Sequence, residues 1–297
     1  MGARVATDQG PVVQSALLRS ELLRLRRDGD LTQEQVAARL EWSASKLIRI
    51  EGGKSAITKV DLDALLDVYG VSSESQRDRL QALNRGARVR GWWDTYRADV
   101  SDPFLTYLGY EAGASFVRIF NNAVIPGLLQ TSDYAQEATA VAVEDRDRIR
   151  RVVTLRMIRQ TELAKRTPPP RQYYVLDEAV IRRHVGIHRD PAIMPEQLRH
   201  IADMAQGDDR VTVRVVPFNA GAYAGWAAGP FALLEFDGLP NILYLEVGDR
   251  VAMVHSDDAR VAESADAFEK MLGDALPAAE SIEFIRSVAD EMSSGPR

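Results

Sequence analysis

The stretch LTQEQVAARLEWSASKLIRIEGGKS, at residues 31–55, decides how the N-terminal part of this chain folds. Thr32 is a hydroxyl residue suited to cap a helix, and Gln35 stands three positions later, where it can complete a capping box. The apolar residues that follow at one-turn spacing are Val36, Ala37 and Leu40. They predict a short helix over residues 33–40 that buries one face.

A second helix is predicted after a break in this pattern at residues 41–43. Ser43 can cap it, and Leu47 and Ile50 lie three apart on the face that would be buried. The glycine pair at 52–53 is expected to end it, because glycine tolerates positive φ. Its opposite face carries Ala44, Ser45, Lys46 and Arg49. Two short helices joined by a tight turn, the second with a polar and basic outer face, match the geometry that places a recognition helix in the DNA major groove.

The stretch resembles the helix-turn-helix of the Xre/Cro/CI class of DNA-binding proteins, through the TQEQVA opening, the SxSKLIRIE helix and the GGK that follows. The resemblance implies that Gln33 donates to a phosphate at the start of the first helix. Arg49 is the strongest candidate for reading a base, because its forked donors match guanine O6 and N7. The complete set of predicted DNA-binding residues is Gln33, Ser43, Ala44, Ser45, Lys46, Arg49, Lys54 and Ser55.

Glu41 departs from the pattern of this class, in which the same turn position is often glycine. A glutamate held at positive φ costs about 1 kcal/mol, and its carboxylate adds negative charge near the DNA. Trp42 beside it is expected either to pack under the turn or to stand partly exposed. Both residues weaken the expectation of tight DNA binding.

Charge is divided unevenly along the chain, which carries a net charge of −6 over 297 residues. Residues 13–90 hold fourteen Lys and Arg against eleven Asp and Glu, a net charge of +3, so the remainder carries −9. A mildly basic module attached to an acidic body suits a DNA-binding domain joined to a partner-binding one. The absence of cysteine fits a reducing cytoplasm, and no run approaches the roughly 18 apolar residues of a membrane span.

The predicted fold class is multidomain. A flexible leader at 1–12, without the features of a secretory signal, precedes an all-α, five-helix Xre/Cro-type helix-turn-helix domain at 13–90. Residues 91–170, rich in aromatic residues, glycine and proline, are expected to form a helical connecting region. Residues 171–297 are expected to form an α+β domain with a sheet of about five strands. The predicted strands are QYYVLDEAVI, VTVRVVPF, PFALLEF, NILYLEV and VAMVHS.

The region after residue 90 resembles the C-terminal domain of actinobacterial Xre-type regulators described as antitoxin-like, including WhiJ-like proteins. The matching segments are GWW at 91–93, residues 107–111, IPGLLQTSDYA at 125–135, VLDEA at 175–179, VTVRVVPF and GPFALLEF. The resemblance implies a cytoplasmic, nucleoid-associated regulator of a double-stranded DNA operator, often working with a small BldB-like partner protein. A homodimer is expected because this class reads half-sites one helical turn apart.

Residue patterns that suggest metal binding or catalysis are weak, and no enzyme activity, metal or cofactor is predicted. His184 and His188 have the spacing of a helical metal pair but lack a third ligand. Asp177 and Glu178 are adjacent on a predicted strand, where they would point to opposite faces. The sequence HSDD at 255–258 lacks a nucleophile elbow, and we expect it to include the N-cap of the following helix.

Two stretches leave their roles open. The basic segment 146–166, with seven arginines and Lys165, is either a solvated helix face paired with acidic neighbours or a surface for flanking DNA or an acidic partner. The aromatic segment 92–120 is either core or the lining of a ligand pocket. The predicted function is a sequence-specific transcriptional regulator whose C-terminal domain provides dimerisation and control. The alternatives are an antitoxin-like adaptor that neutralises a small partner protein and a small-molecule-sensing repressor.

Overall fold

The computed structural model describes residues 10–247, 250–254 and 259–294. The chain divides into two compact units, Met1–Asp94 and Thr95–Arg297. Most of the predicted leader, residues 1–9, and the HSDD segment lie outside the described residues. Residues 10–12 belong to the first helix rather than to the leader, since Pro11 has a φ that suits a first helical turn.

The first unit contains the predicted helical domain. Its helices are α1 (Gly10–Asp28), α2 (Gln33–Arg39), α3 (Ala44–Glu51), α4 (Lys59–Val68) and α5 (Glu74–Gly86). Their shared core is built from the buried residues Val13, Leu17, Leu18, Leu22, Val36, Leu47, Ile50, Leu62, Leu65, Leu66, Leu80 and Leu83. Within the described residues of this unit, the prediction of a five-helix helix-turn-helix domain is confirmed.

The second unit combines helices with one mixed sheet. Its helices are α6 (Asp102–Glu111), α7 (Ser132–Ala140), α8 (Arg146–Ala164), α9 (Glu178–Arg182), α10 (Ile193–Gly207), α11 (Ala224–Ala228), α12 (Ala259–Asp274) and α13 (Ala278–Ser293). Its strands are β1 (Phe116–Asn121), β2 (Arg171–Asp177), β3 (Val211–Val216), β4 (Phe231–Glu235), β5 (Ile242–Val247) and β6 (Arg250–Val254). Short 3-10 helices lie at Trp92–Tyr96, Gly127–Leu129 and Phe218–Ala220. No helix among the described residues is long and apolar enough to cross a membrane.

The sheet has the strand order β3-β2-β1-β4-β5-β6 in the described part of the chain. β1 pairs in parallel with β2, and β2 pairs in parallel with β3. β4, β5 and β6 continue the sheet as antiparallel neighbours on the other side of β1. The expectation of an α+β fold is confirmed, and the described sheet contains one strand more than the five that were predicted.

That additional strand, β1, lies inside the segment predicted to be a helical connecting region. Its sequence FVRIFN buries neighbouring residues on both sheet faces, Ile119 on one and Phe120 on the other. A strand buried on both faces does not show the alternation that identifies a half-exposed strand. Because β1 lies between β2 and β4, residues 91–170 contribute to the same folded unit as the rest of the sheet instead of leading up to it.

Helices cover both faces of the sheet. On one face, Phe120 packs in a cluster with Phe268 and Met271 of α12. On the other, Tyr107 of α6 packs against Tyr244 of β5, with ring centroids 4.2 Å apart. Tyr107, Tyr110 and Phe120, from the aromatic segment whose role was open, are therefore core residues.

Several arginines of α8 are paired with other groups of the protein. Arg159 is buried and binds the buried Glu111 of α6 through two hydrogen bonds of 2.6 and 2.5 Å. Arg151 pairs with Asp99 at 2.6 Å, and Arg150 pairs with Asp147. This pattern favours the interpretation of residues 146–166 as a paired helix face.

Candidate DNA-binding surface

A buried carboxylate ties α3 to the two helices before it. Glu51, the last residue of α3, accepts from Arg26 at 2.7 and 3.1 Å and from Gln33 at 2.6 Å. Arg26 also donates to the Leu31 carbonyl at 2.8 Å. Because a cation and an amide satisfy both carboxylate oxygens, the cost of burying the charge is offset. These contacts set the end of α3 against the start of α2.

The surroundings of the cluster keep Arg26 charged over the physiological pH range. The hydrogen bond to Glu51 raises the pKa of the Arg26 guanidinium, although burial opposes the shift. Burial raises the pKa of the neighbouring Tyr69 phenol well above its usual value, and the Glu51 carboxylate adds to the effect. Tyr69 therefore stays neutral beside the ion pair.

The turn between α2 and α3 has the strained geometry that its sequence predicts. Glu41 has a φ of +55°, in the left-handed region, as expected for a position that is often glycine. The Trp42 amide donates to the Ala37 carbonyl at 2.8 Å, which closes the turn. Trp42 is half-buried, and its ring centroid lies 3.7 Å from the Lys46 ammonium nitrogen. The tryptophan is thus a cation–π partner for a predicted DNA contact.

Lys46 is held by a second group that sequence analysis missed. Its ammonium donates to the Asp61 carboxylate of α4 at 2.9 Å. Burial opposes ionisation of Asp61, but hydrogen bonds from Lys46 and Thr58 outweigh it and lower the Asp61 pKa. Asp61 lies in the first turn of α4, where its own amide donates to the Thr58 cap at 3.0 Å. Lys46 and Asp61 meet only through the packing of α3 and α4, so no local sequence pattern signals the pair.

The other predicted DNA-binding residues differ in exposure and in whether their side chains already form hydrogen bonds within the protein. The Ser43 hydroxyl accepts from the Lys46 amide at 3.3 Å, which makes it the N-cap of α3. Gln33 donates one of the two N–H groups of its side-chain amide to Glu51. Ala44 and Ser55 are half-buried, while Ser45, Arg49 and Lys54 are exposed.

Arg49 has a side chain with no hydrogen bond or ion pair to any residue that the structure describes. It is exposed on the outer face of α3, whose inner face buries Leu47 and Ile50. Ile48, beside it, is 48% exposed and was not among the predicted contacts. An exposed isoleucine on an otherwise polar face can make apolar contacts with sugars or thymine methyl groups. The sequence of α3 indicates the exposure of Ile48, because this residue does not lie on the face that buries Leu47 and Ile50.

Those of the residues considered for metal binding or catalysis that the structure describes lie in separate local settings. His184 and His188 lie in the turns after α9, and a ring nitrogen of His184 is 2.9 Å from the Pro191 carbonyl oxygen. Among the described residues, no three His, Cys, Asp or Glu side chains lie close enough to hold a metal ion. The prediction that Asp177 and Glu178 share a strand is wrong, because Asp177 ends β2 and caps α9, which begins at Glu178.

Comparison with known families assigns both units. A model described as a helix-turn-helix domain matches residues 17–80, which include α2, α3 and the turn between them. A second model, described as a domain of unknown function, DUF5753, matches residues 104–287, more than half of the chain. The chain belongs to the DUF5753 family. Searches of curated proteins and of solved structures give no match to this DUF5753 protein.

The two matches agree with the division of the molecule. The helix-turn-helix match falls within the first unit, and the DUF5753 match falls within the second and spans all the described strands, β1 included. At this level the DUF5753 protein is a helix-turn-helix regulator of the DNA-binding type.

Proposed function

We propose that this DUF5753 protein is a sequence-specific transcriptional regulator that reads a double-stranded DNA operator through α3. The observation that carries the proposal is Arg49, an exposed guanidinium on the outer face of a helix fixed at both ends, with no ion-pair partner among the residues that the structure describes. Ser43 caps the start of that helix, and Glu51 anchors its end. A rigid helix with a free forked donor suits bidentate recognition of guanine O6 and N7.

The remaining residues have supporting roles in this proposal. Ser45 and Ala44 lie in the first turn of α3, and their small side chains let the helix approach the base edges. Lys54, just past the helix, and Ser55 contact phosphates, as does the second amide N–H of Gln33. Lys46 joins them by exchanging Asp61 for a phosphate. With a net charge of only +3 over residues 13–90, the domain binds non-specific DNA weakly and in a salt-sensitive way.

Substitution of Arg49 tests the base-reading role directly. Genome-wide binding of the tagged protein first defines the operator, and fluorescence anisotropy then measures affinity for that duplex. Arg49→Ala is expected to weaken operator binding by about 1–3 kcal/mol and to relax the preference at one base pair. Arg85→Ala, which removes an exposed arginine from α5, is the matched control and should change affinity much less. Unchanged operator affinity in Arg49→Ala contradicts the assignment.

We also propose that the protein is a homodimer whose DUF5753 unit is controlled by another molecule. Its likeness to the WhiJ-like, antitoxin-like domains of actinobacterial regulators supports a small BldB-like partner protein or a ligand as that input. The net charge of −9 outside residues 13–90 suits a partner surface rather than a DNA contact. Light scattering of the purified protein tests the dimer, and a monomer at micromolar concentration would contradict it.

An antitoxin-like adaptor, in which DNA binding is secondary, is the second candidate. The same acidic charge outside the helix-turn-helix favours it. It predicts a stable partner complex that forms without DNA and survives Arg49→Ala. Cells that carry the Arg49→Ala variant therefore separate the two functions, since an adaptor still neutralises its partner whereas a regulator loses its genomic binding sites and the control of its target genes.

A further inference from the structure

A concave site lies in the DUF5753 unit, at the carboxyl ends of the parallel strands. Asn122 follows β1, Asp177 ends β2, and Pro217 follows β3, and all three line one pocket. Parallel strands bring their carboxyl ends to one edge, where the connecting loops form the usual ligand crevice of an α/β sheet. The pocket encloses about 410 Å³, within the size range of small-molecule sites.

Two aromatic side chains form the exposed walls of this pocket. Phe218 is 58% exposed and Trp226 is 70% exposed, although large aromatic side chains are usually covered. Their backbone is anchored, since the Phe218 amide donates to the buried Glu178 carboxylate at 2.6 Å. Beside Trp226, a Cβ atom on Gly225 would lie 2.3 Å from the Met271 sulfur, so α11 is seated directly on the core. The aromatic rings are therefore presented to solvent by a packed segment.

The polar floor of the pocket is a carboxylate without a cation. Asp177 accepts from the Ala179 amide at 2.7 Å and from the Tyr223 hydroxyl at 2.5 Å, and it has no cationic partner among the described residues. Its neighbour Glu178 differs, because it pairs with Arg182 at 2.5 Å. Each Asp177 oxygen keeps acceptor capacity after these bonds.

We infer that this pocket binds a small organic cation, a primary ammonium or guanidinium group attached to an apolar or aromatic body. The unneutralised Asp177 carboxylate supplies the counter-charge and accepts the N–H bonds. The faces of Trp226 and Phe218 attract the same cation and cover its apolar part. The Asp177 carboxylate repels an anion, and a neutral analogue lacks the attraction between opposite charges. The inference is independent of DNA binding by α3, because its residues all lie in the other unit.

Calorimetric titration of the full chain with phenethylamine tests the site, with 2-phenylethanol and phenylacetate as neutral and anionic analogues of the same shape. Binding of the amine is expected, with the alcohol at least about tenfold weaker and the acid not bound. Equal affinity for amine and alcohol, or no amine binding up to about 10 mM, overturns the inference. The measurement contains no DNA, so loss of operator binding in Arg49→Ala has no bearing on it.

Two variants and a control connect binding to the named residues. Asp177→Asn keeps the oxygen that caps α9 and places an amide N–H, which can donate to the Tyr223 hydroxyl oxygen, where the second carboxylate oxygen was. It is expected to lose amine affinity by about tenfold or more. Trp226→Ala is expected to weaken binding too, whereas Val141→Ala, at an 88% exposed residue outside the pocket, is expected to leave it unchanged. Thermal unfolding checks that each variant is folded. Folded Asp177→Asn with unaltered amine affinity contradicts the site.

Discussion

At the scale of single residues, contacts within the protein compete with a DNA phosphate for the Lys46 ammonium group. Within the protein it pairs with Asp61 at 2.9 Å and lies 3.7 Å from the Trp42 ring centroid. A partly exposed ion pair contributes about 0–1 kcal/mol, and a cation–π contact about 0.5–1 kcal/mol. These terms are small enough for a phosphate contact, which releases counterions, to replace them. We therefore expect the Asp61 carboxylate to limit DNA affinity.

Removing the Asp61 charge should strengthen DNA binding. Asp61→Asn frees Lys46 and deletes a negative charge beside α3, so affinity should rise several-fold at low salt. The slope of log K against log salt should change by much less than about 0.9, the value for one phosphate contact, because Lys46 contacts a phosphate in both proteins. Anisotropy titrations over a salt series measure both quantities.

Asp78→Asn is the matched control for this prediction. It makes the same change in net charge at an exposed aspartate of α5. An equal gain in Asp78→Asn would mean that only net charge matters, and the competition between Asp61 and DNA would be wrong.

At the scale of elements, the turn between α2 and α3 contains one residue with a strained backbone. Glu41 is held at a φ of +55°, where a residue with a Cβ atom is disfavoured by about 1–2 kcal/mol. The flanking helices retain it because the Glu41 and Trp42 amides donate to the last turn of α2 and Ser43 caps α3, which fixes both sides of the turn. The surroundings of Glu41 therefore hold it at positive φ, against its own conformational preference.

Glycine at position 41 should stabilise this unit. Relief of the left-handed strain exceeds the added entropy of the unfolded chain, so Glu41→Gly is expected to raise the free energy of unfolding by about 0.5–1 kcal/mol. Hydrogen exchange of the α2 and α3 amides measures the effect. Glu41→Gln, which removes the charge and keeps the strain, should leave exchange unchanged. If Gln stabilises as much as Gly, charge rather than strain is responsible.

At the scale of the whole molecule, each unit is organised around a buried ion pair. Arg26 and Glu51 join the helices of the first unit. Arg159 and Glu111 join α8 to α6 in the second, where the Tyr107 hydroxyl donates to Glu111 at 2.6 Å. Such pairs contribute little net stability over apolar residues, but loss of one partner leaves an uncompensated charge. They define which helices pack together.

Breaking the second pair should destabilise the DUF5753 unit strongly. Glu111→Gln leaves the Arg159 guanidinium buried without a counter-charge, at an expected cost of about 3–5 kcal/mol. Denaturant unfolding measures it, and Arg150→Ala, at an exposed arginine of the same helix, should change stability by less than about 0.5 kcal/mol. Double replacement by Glu111→Leu and Arg159→Met should recover much of the loss, and failure to do so would assign the cost to packing.

The local sequence by itself predicted the helix-turn-helix. The Thr32–Gln35 capping box, the stripe of α2, the Ser43 cap and the strained Glu41 were all predictable and are present. Each depends on interactions within about one helical turn, so neighbouring residue types carry the information. Most strands of the sheet were likewise predictable from β-branched and aromatic runs bounded by turn residues.

Only the tertiary structure decided which side chains remain available. It pairs Lys46 with Asp61 across 15 positions, Gln33 with Glu51 across 18, and Tyr223 with Asp177 across 46. It also makes residues 116–121 a central strand and, in the described part of the chain, gives the Arg49 side chain no hydrogen-bond or ion-pair partner. Contacts between distant residues depend on how whole elements pack, and one sequence pattern is compatible with many such packings. Local periodicity therefore predicted α3, and packing decided that Lys46 is paired whereas Arg49 has no ion-pair partner among the described residues.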